Sequence, residues 1–324
     1  MERATRHLLR HLKFFTCFAI IAMALNAKAE ESSVFEFALV GDTPYSAREE
    51  RLFQSMMTEI DESKSEFVIH VGDFKSSSMA CTDALYFHRR DLFDRSRHPF
   101  IFLFGDNDWT DCERNRAART HPEERLRKLR ELFTANDESL GQLRLSLTRQ
   151  SENPQYTPFR ENVRWQRGGV YFVGLHVVGS DNNWGDNDNS PSAEYETRNA
   201  ATLTWLRESF AVAKRDAAVA IVIAMQADPA FNKKQGHRNR RGFDDLLSLL
   251  AELSLDFVRP VLLAHGDTHW FRVDKPLHDP THPDKLVENL TRVETFGSPL
   301  VNWVSVRVDP DSPSVFTIKG KTEP

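Results

Sequence analysis

Short apolar runs that stop at a glycine and an acid recur along the first third of the chain. Phe35-Glu36-Phe37-Ala38-Leu39-Val40 leads into Gly41-Asp42, and Glu66-Phe67-Val68-Ile69-His70-Val71 into Gly72-Asp73. Pro99-Phe100-Ile101-Phe102-Leu103-Phe104 leads into Gly105-Asp106-Asn107-Asp108-Trp109. Runs of this length and composition form buried strands. The three aspartates follow one another at roughly 30 residues, the length of a βαβ unit. The pattern therefore predicts successive units that deliver carboxylates to the carboxyl rim of a sheet, where open α/β sheets bind ligands.

Between these runs the period changes from two to that of a helix. Residues 47–60 carry Leu52, Phe53, Met56, Met57 and Ile60 on one face behind Ser46, and residues 82–93 read the same way. Helices are also expected over 122–133, with Pro122 in the first turn, and over 138–147. Residues 169–178 alternate as a strand, and an Asp/Asn-rich loop follows. Its spacing does not fit a calcium loop, since Gly185 stands where a ligand is needed. The loop reads instead as the cap of the next helix, with Ser190 as N-cap and Pro191 at the first helical position. Strands over 218–225 and 260–264 then end at Gln226-Ala227-Asp228 and His265-Gly266-Asp267-Thr268-His269. Alternating segments 300–308 and 314–319 supply late strands for a second sheet.

Two histidines and an aspartate within five residues after a buried strand suit a divalent cation. His70 lies within a strand on the opposite pleat from Asp73 and reads as a hydrogen-bonded core residue. The basic run from Lys233 to Arg241 reads as a solvated loop, with contact to an anionic substrate as its other use.

Residues 1–29 have the form of a secretory signal. Arg3, Arg6, Arg10 and Lys13 precede an apolar stretch of about a dozen residues and the small-x-small site Ala27-Lys28-Ala29. The stretch is short of the ~20 residues that span a bilayer. The expectation is a periplasmic or secreted protein with no membrane attachment after cleavage, and a single domain over 30–324. The net charge of −5 becomes more negative without the basic leader, which argues against nucleic acid as a partner. Cys81 and Cys112 remain as an even pair in an oxidising compartment, a candidate disulfide clamping the segments behind the second and third Gly-Asp sites.

The order Gly-Asp, Gly-Asp, Gly-[Asn/Asp]-x-Asp, strand-end site, Gly-x-Thr-His resembles the calcineurin-like metallophosphoesterases over most of residues 34–310. The resemblance implies an α/β fold, a four-layer αββα sandwich of two mixed β-sheets flanked by helices, with the metal site at the sheet edges. It implies a phosphate ester substrate, two divalent metal ions, and in-line attack on phosphorus by a hydroxide held between them. Carried over by position, Asp42 and His269 would bind the first metal, Asp73 would bridge, Asp106 would bind the second, and Gln226 and Asp267 would be further metal ligands at usual histidine positions. Asn107 would face the phosphate.

This sequence departs from that pattern in five places, the first being Asp106, which stands where the family usually has asparagine. Pro44 stands at a usual histidine ligand, Gln226 and Asp267 at two others, and Asn107 at the histidine that helps the leaving group. An amide can hydrogen-bond a phosphate but cannot act as a general acid, so esters with good leaving groups are the expected substrates, with His265 as the alternative source of the proton. Exchanging imidazoles for oxygen ligands favours Mn, Mg or Fe ions over Zn. The leading expectation is a phosphomonoesterase or phosphodiesterase. The alternative is a non-catalytic protein of the same fold that binds a phosphorylated ligand or partner. Substrate and oligomeric state are not written in the sequence.

Overall fold

The computed structural model describes residues 34–114, 119–185 and 190–322. The proposed signal at 1–29 lies outside them, as do residues 186–189 of the Asp/Asn-rich loop. Among the described residues no helix is long and apolar enough to cross a membrane.

Two mixed sheets face each other. The first has the order β12 (Phe316–Lys321), β11 (Trp303–Val308), β1 (Phe35–Val40), β2 (Ser65–His70), β3 (Phe100–Phe102). The strands β1, β2 and β3 run parallel, whereas β11 and β12 are antiparallel to their neighbours. The second has the order β4 (Thr148–Arg149), β5 (Val163–Arg167), β6 (Val170–Gly174), β7 (Ala220–Ala224), β8 (Val261–His265), β10 (Leu290–Glu294), β9 (Arg272–Asp274). Its centre, from β6 through β7 and β8 to β10, is parallel.

The pleat decides what lies between the sheets. Phe37 and Leu39 of β1 point inward with Phe67 and Ile69 of β2, and meet Trp165, Phe172, Val222 and Leu262 from the second sheet. Phe37 and Phe67 both present edges to Phe172, with ring centroids 5.3 and 5.1 Å apart, a favoured aromatic geometry. Ala38 and Val40 point outward, beneath α1 (Ala47–Glu62), α2 (Asp83–Asp94) and α3 (Pro122–Phe133). The outer face of the second sheet is covered by α4 (Ala193–Arg215) and α5 (Asp244–Phe257). The four layers are those the family resemblance implied.

Local chemistry accounts for the helix starts. Ser46 accepts from the Glu49 N–H, and Thr82 from that of Leu85. Two expectations fail. The helix placed at 138–147 is a bridged turn in which Leu140 pairs with Phe100. Gly141 sits at φ +96°, and a Cβ there would fall 2.1 Å from the His98 carbonyl oxygen, so only glycine fits this turn. The helix expected to start behind Ser190 is capped by Ser192 instead, which accepts from the Tyr195 N–H. Cys81 and Cys112 form the disulfide, with Cα atoms 5.7 Å apart.

Candidate active site

The carboxyl ends of β1, β2, β3, β7 and β8 converge where the two sheets meet. Asp42 and Asp73 follow β1 and β2 with φ of 52° and 61°, and Asp267 and His269 follow β8 with φ of 83° and 67°. Non-glycine residues enter this left-handed region at a cost and cluster at functional sites. The flanking glycines are needed for close approach: a Cβ on Gly105 would fall 1.9 Å from Asp73 Oδ1, and one on Gly266 2.2 Å from Asp42 Oδ2.

The four aspartates are packed together with little opposing charge. Burial raises the Asp42 carboxyl well above the ordinary range, and the neighbouring Asp267 raises it further, against the Asp267 N–H that donates to it at 3.0 Å. Burial, then Asp106, Asp108, Asp42 and Asp267, does the same to Asp73. Burial raises Asp106, with Asp111 next, and it raises Asp267, with Asp106 next. One Asp106 oxygen accepts from Ser180 Oγ at 2.8 Å; the other is buried with no partner among the described residues.

His269 donates from Nδ1 to the Ser298 carbonyl at 2.7 Å, which leaves the Nε2 lone pair facing Asp42 Oδ1 at 3.5 Å. Two acceptors facing each other suit a cation between them. Asp73 is more occupied. Its Oδ1 accepts from the Asn107 N–H at 3.0 Å, and its Oδ2 from Asn107 Nδ2 at 2.8 Å, Tyr45 at 3.3 Å and Gln226 Nε2 at 3.4 Å. Gln226 Oε1 accepts from the Gly179 N–H at 2.6 Å and retains one lone pair. Among the described residues no three His, Cys, Asp or Glu side chains converge tightly enough to grip an ion as placed. The donor set nevertheless fits oxygen-seeking cations, through the unpartnered Asp106 oxygen and the Asp42–His269 pair.

The structure thus brings Asp42, Asp73, Asp106, Asn107, Gln226, Asp267 and His269 to one rim. It does not bring His265 there. That ring is fully buried, with Nδ1 against the Gly266 carbonyl at 2.8 Å, and its charged neighbours are Glu294, Asp228 and Arg292. His70 is the core residue expected, spanning Thr43 O at 2.9 Å and the Gly72 N–H at 3.2 Å. Burial depresses it to about 4, so the ring is neutral.

Three supporting residues have roles that the sequence does not show, although one of them, Asp108, stands in the Gly105–Trp109 stretch. Asp108 accepts from the N–H groups of Asp73, Phe74 and Gly105 at 2.8–3.0 Å and so shapes both loops; burial pushes it up to about 7 against those donors. Buried Lys75 donates to the carbonyls of Asn107 at 2.5 Å and Ser76 at 3.0 Å. Tyr45, beside the departing Pro44, bonds Asp73 and Asn107 and sets its ring edge-on to His269, 5.6 Å between centroids. The run Asp42-Thr43-Pro44-Tyr45 was visible, but nothing local says that its phenol turns toward Asp73.

No family model matches the sequence, and no curated protein matches it either. Solved structures do. A dimetal phosphatase from Danio rerio superposes with a TM-score of 0.53 at 11% identity, over 89% of this chain and 96% of that one. Purple acid phosphatase PPD1 from yellow lupin (Lupinus luteus) seeds gives 0.50 at 10% identity, over 90% of this chain and 54% of that one. The chain has the calcineurin-like metallophosphoesterase fold. At these identities the likeness is one of fold.

Proposed function

We propose that this chain is an exported metal-dependent phosphoric ester hydrolase with two cation sites. Asp42, Asp73 and His269 would hold one cation, and Asp73, Asp106, Gln226 and Asp267 the other. The observation that carries this reading is the packing of four buried aspartates whose charges oppose one another, an arrangement that divalent cations relieve. Bound there, the cations would supply Lewis acidity and neutralise charge on both oxygens of an in-line displacement at phosphorus.

The remaining residues position and orient. Asn107 donates to Asp73 from both its backbone and its side chain, and in this reading its amide would hydrogen-bond a phosphate oxygen of the substrate. An amide N–H donates a hydrogen bond but does not act as a general acid. With His265 turned into the second sheet, the leaving group departs without a histidine acid, so esters of acidic alcohols are the better substrates. The leader at 1–29, and with it a periplasmic or secreted location, belongs to this proposal, and the disulfide accords with it.

The test is metal content and turnover together. Residues 30–324, loaded with Mn²⁺, should bind close to two ions and hydrolyse p-nitrophenyl phosphate or its bis ester. Asp73→Asn should reduce the rate by at least ~100-fold, as expected when an electrostatic centre of this kind is broken. Two bound ions without turnover on any ester would replace the hydrolase by a protein that only binds phosphorylated ligands.

A further inference from the structure

A cleft of about 840 Å³ opens beside the aspartate rim, with Asp267 and Ser180 in its wall. Its size suits a small-molecule ligand. Among the described lining residues, Pro122 and Phe243 are the only bulky apolar ones, which speaks against an aromatic or lipid occupant. Four arginines, Arg114, Arg119, Arg238 and Arg241, line the same cleft.

Two of these are anchored. Arg114 pairs with Asp111 at 3.0 Å and reaches Ser180 Oγ at 3.3 Å, one hydroxyl away from Asp106. Arg241 pairs with Asp181 at 3.3 Å and lies over the Trp184 ring at 5.3 Å. The other two are exposed, and no ion pair or hydrogen bond engages Arg119 or Arg238 among the described residues. Of the carboxylates in the cleft, Asp228 is paired with Arg272 at 2.7 Å and Asp181 with Arg241. Among the described lining residues, Glu113 is the carboxylate that remains to face Arg119 and Arg238 away from the rim. Guanidinium forks match phosphate oxygens two at a time.

We infer that Arg119 and Arg238 form a subsite for a second phosphate, so that the substrates are small bisphosphorylated molecules with one ester at the aspartates and the other in the cleft. The inference rests on the hydrolase reading above, which supplies the site for the first phosphate. It also gives a use to the basic run at 233–241 beyond that of a solvated loop.

The experiment compares glucose 1,6-bisphosphate with glucose 6-phosphate on the Mn²⁺-loaded protein. Wild type should favour the bisphosphate in kcat/KM by about tenfold or more, the value of one charge-assisted phosphate contact. The double variant Arg119→Gln/Arg238→Gln should bring that ratio close to one, and Arg119→Lys/Arg238→Lys should retain part of it. Equal treatment of the two sugars by wild type overturns the inference, as does a preference that survives the Gln substitutions. Where no ester is turned over, calorimetric binding of the same two sugars is read in place of rates. Hydrolysis of p-nitrophenyl phosphate without a bisphosphate preference removes the subsite and leaves the hydrolase. An arginine-dependent binding preference without any turnover does the reverse.

Discussion

At Asp106 a carboxylate occupies a position where the resembling family usually has an amide, and one of its oxygens is buried without a partner. Its folded-state pKa is raised, by burial first and Asp111 second. An acid raised in this way favours the folded state while protonated and opposes it as pH climbs past the unfolded value. Asp106→Asn removes that opposition. The metal-free variant should melt higher than wild type at pH 8 and close to it at pH 4, each tenfold difference in proton affinity being worth about 1.4 kcal/mol. The same variant should bind Mn²⁺ more weakly. Thermal melts at the two pH values with a metal titration check both halves, and equal melting at pH 8 would show that Asp106 carries no penalty. The ligand candidates Asp42, Asp73 and Asp106 were legible because each follows a glycine that stops an apolar run. Tyr45, Lys75 and Ser180 were not. Their roles depend on partners 28, 32 and 74 residues away, and no periodicity reports such distances.

At the scale of elements, the strands that feed the site were readable because a parallel strand covered on both faces is apolar throughout. The failures occur where backbone conformation departs from what side-chain pattern encodes. Residues 180–183 hold four successive left-handed conformations, φ 54–56°. That short turn aims Ser180 at Asp106 and Asp181 at the Gly242 N–H, 3.0 Å away. An Asp/Asn-rich stretch tolerates such angles, but its composition alone indicates only a loop. The leucine-rich α5, between the basic run at 233–241 and the strand that ends at His265, is a further helix absent from the sequence expectations. The disulfide joins the loop behind β2 to the turn behind Asp106–Trp109, across 31 residues. Cys81→Ser/Cys112→Ser should destabilise the fold by about 3–4 kcal/mol. Because both loops lean on Asp108, the variant should also lose metal affinity, which urea titrations with and without Mn²⁺ would measure. An unchanged midpoint in both would show that the loops are held without the bridge.

For the whole molecule, the aspartates make stability a function of pH and metal together. Asp42, Asp73, Asp106 and Asp267 are all raised above 3.8 in the folded chain, and Asp108 lies at about 7. Above pH 3.8 these five carboxyls therefore bind more protons in the folded metal-free chain than in the unfolded one, and their contribution to stability falls as pH rises through that window; the imidazoles of His70, His176 and His265, lowered by burial, act in the opposite direction. Mn²⁺ should raise the melting temperature more at pH 8 than at pH 5; a larger rise at pH 5 would contradict the buried-charge account. The first sheet carries a different consequence. Its central strand β1 opens the described chain, yet β1 pairs on one side with β11, Phe35 opposite Val308. During synthesis, that hydrogen-bonding edge waits bare for some 270 residues until its partner emerges. Pairing across so long a loop is slow to nucleate, and an uncovered apolar strand is an invitation to its neighbours in the meantime. A nascent chain of this design is expected to aggregate less when it is kept apart from its own kind until β11 and β12 arrive.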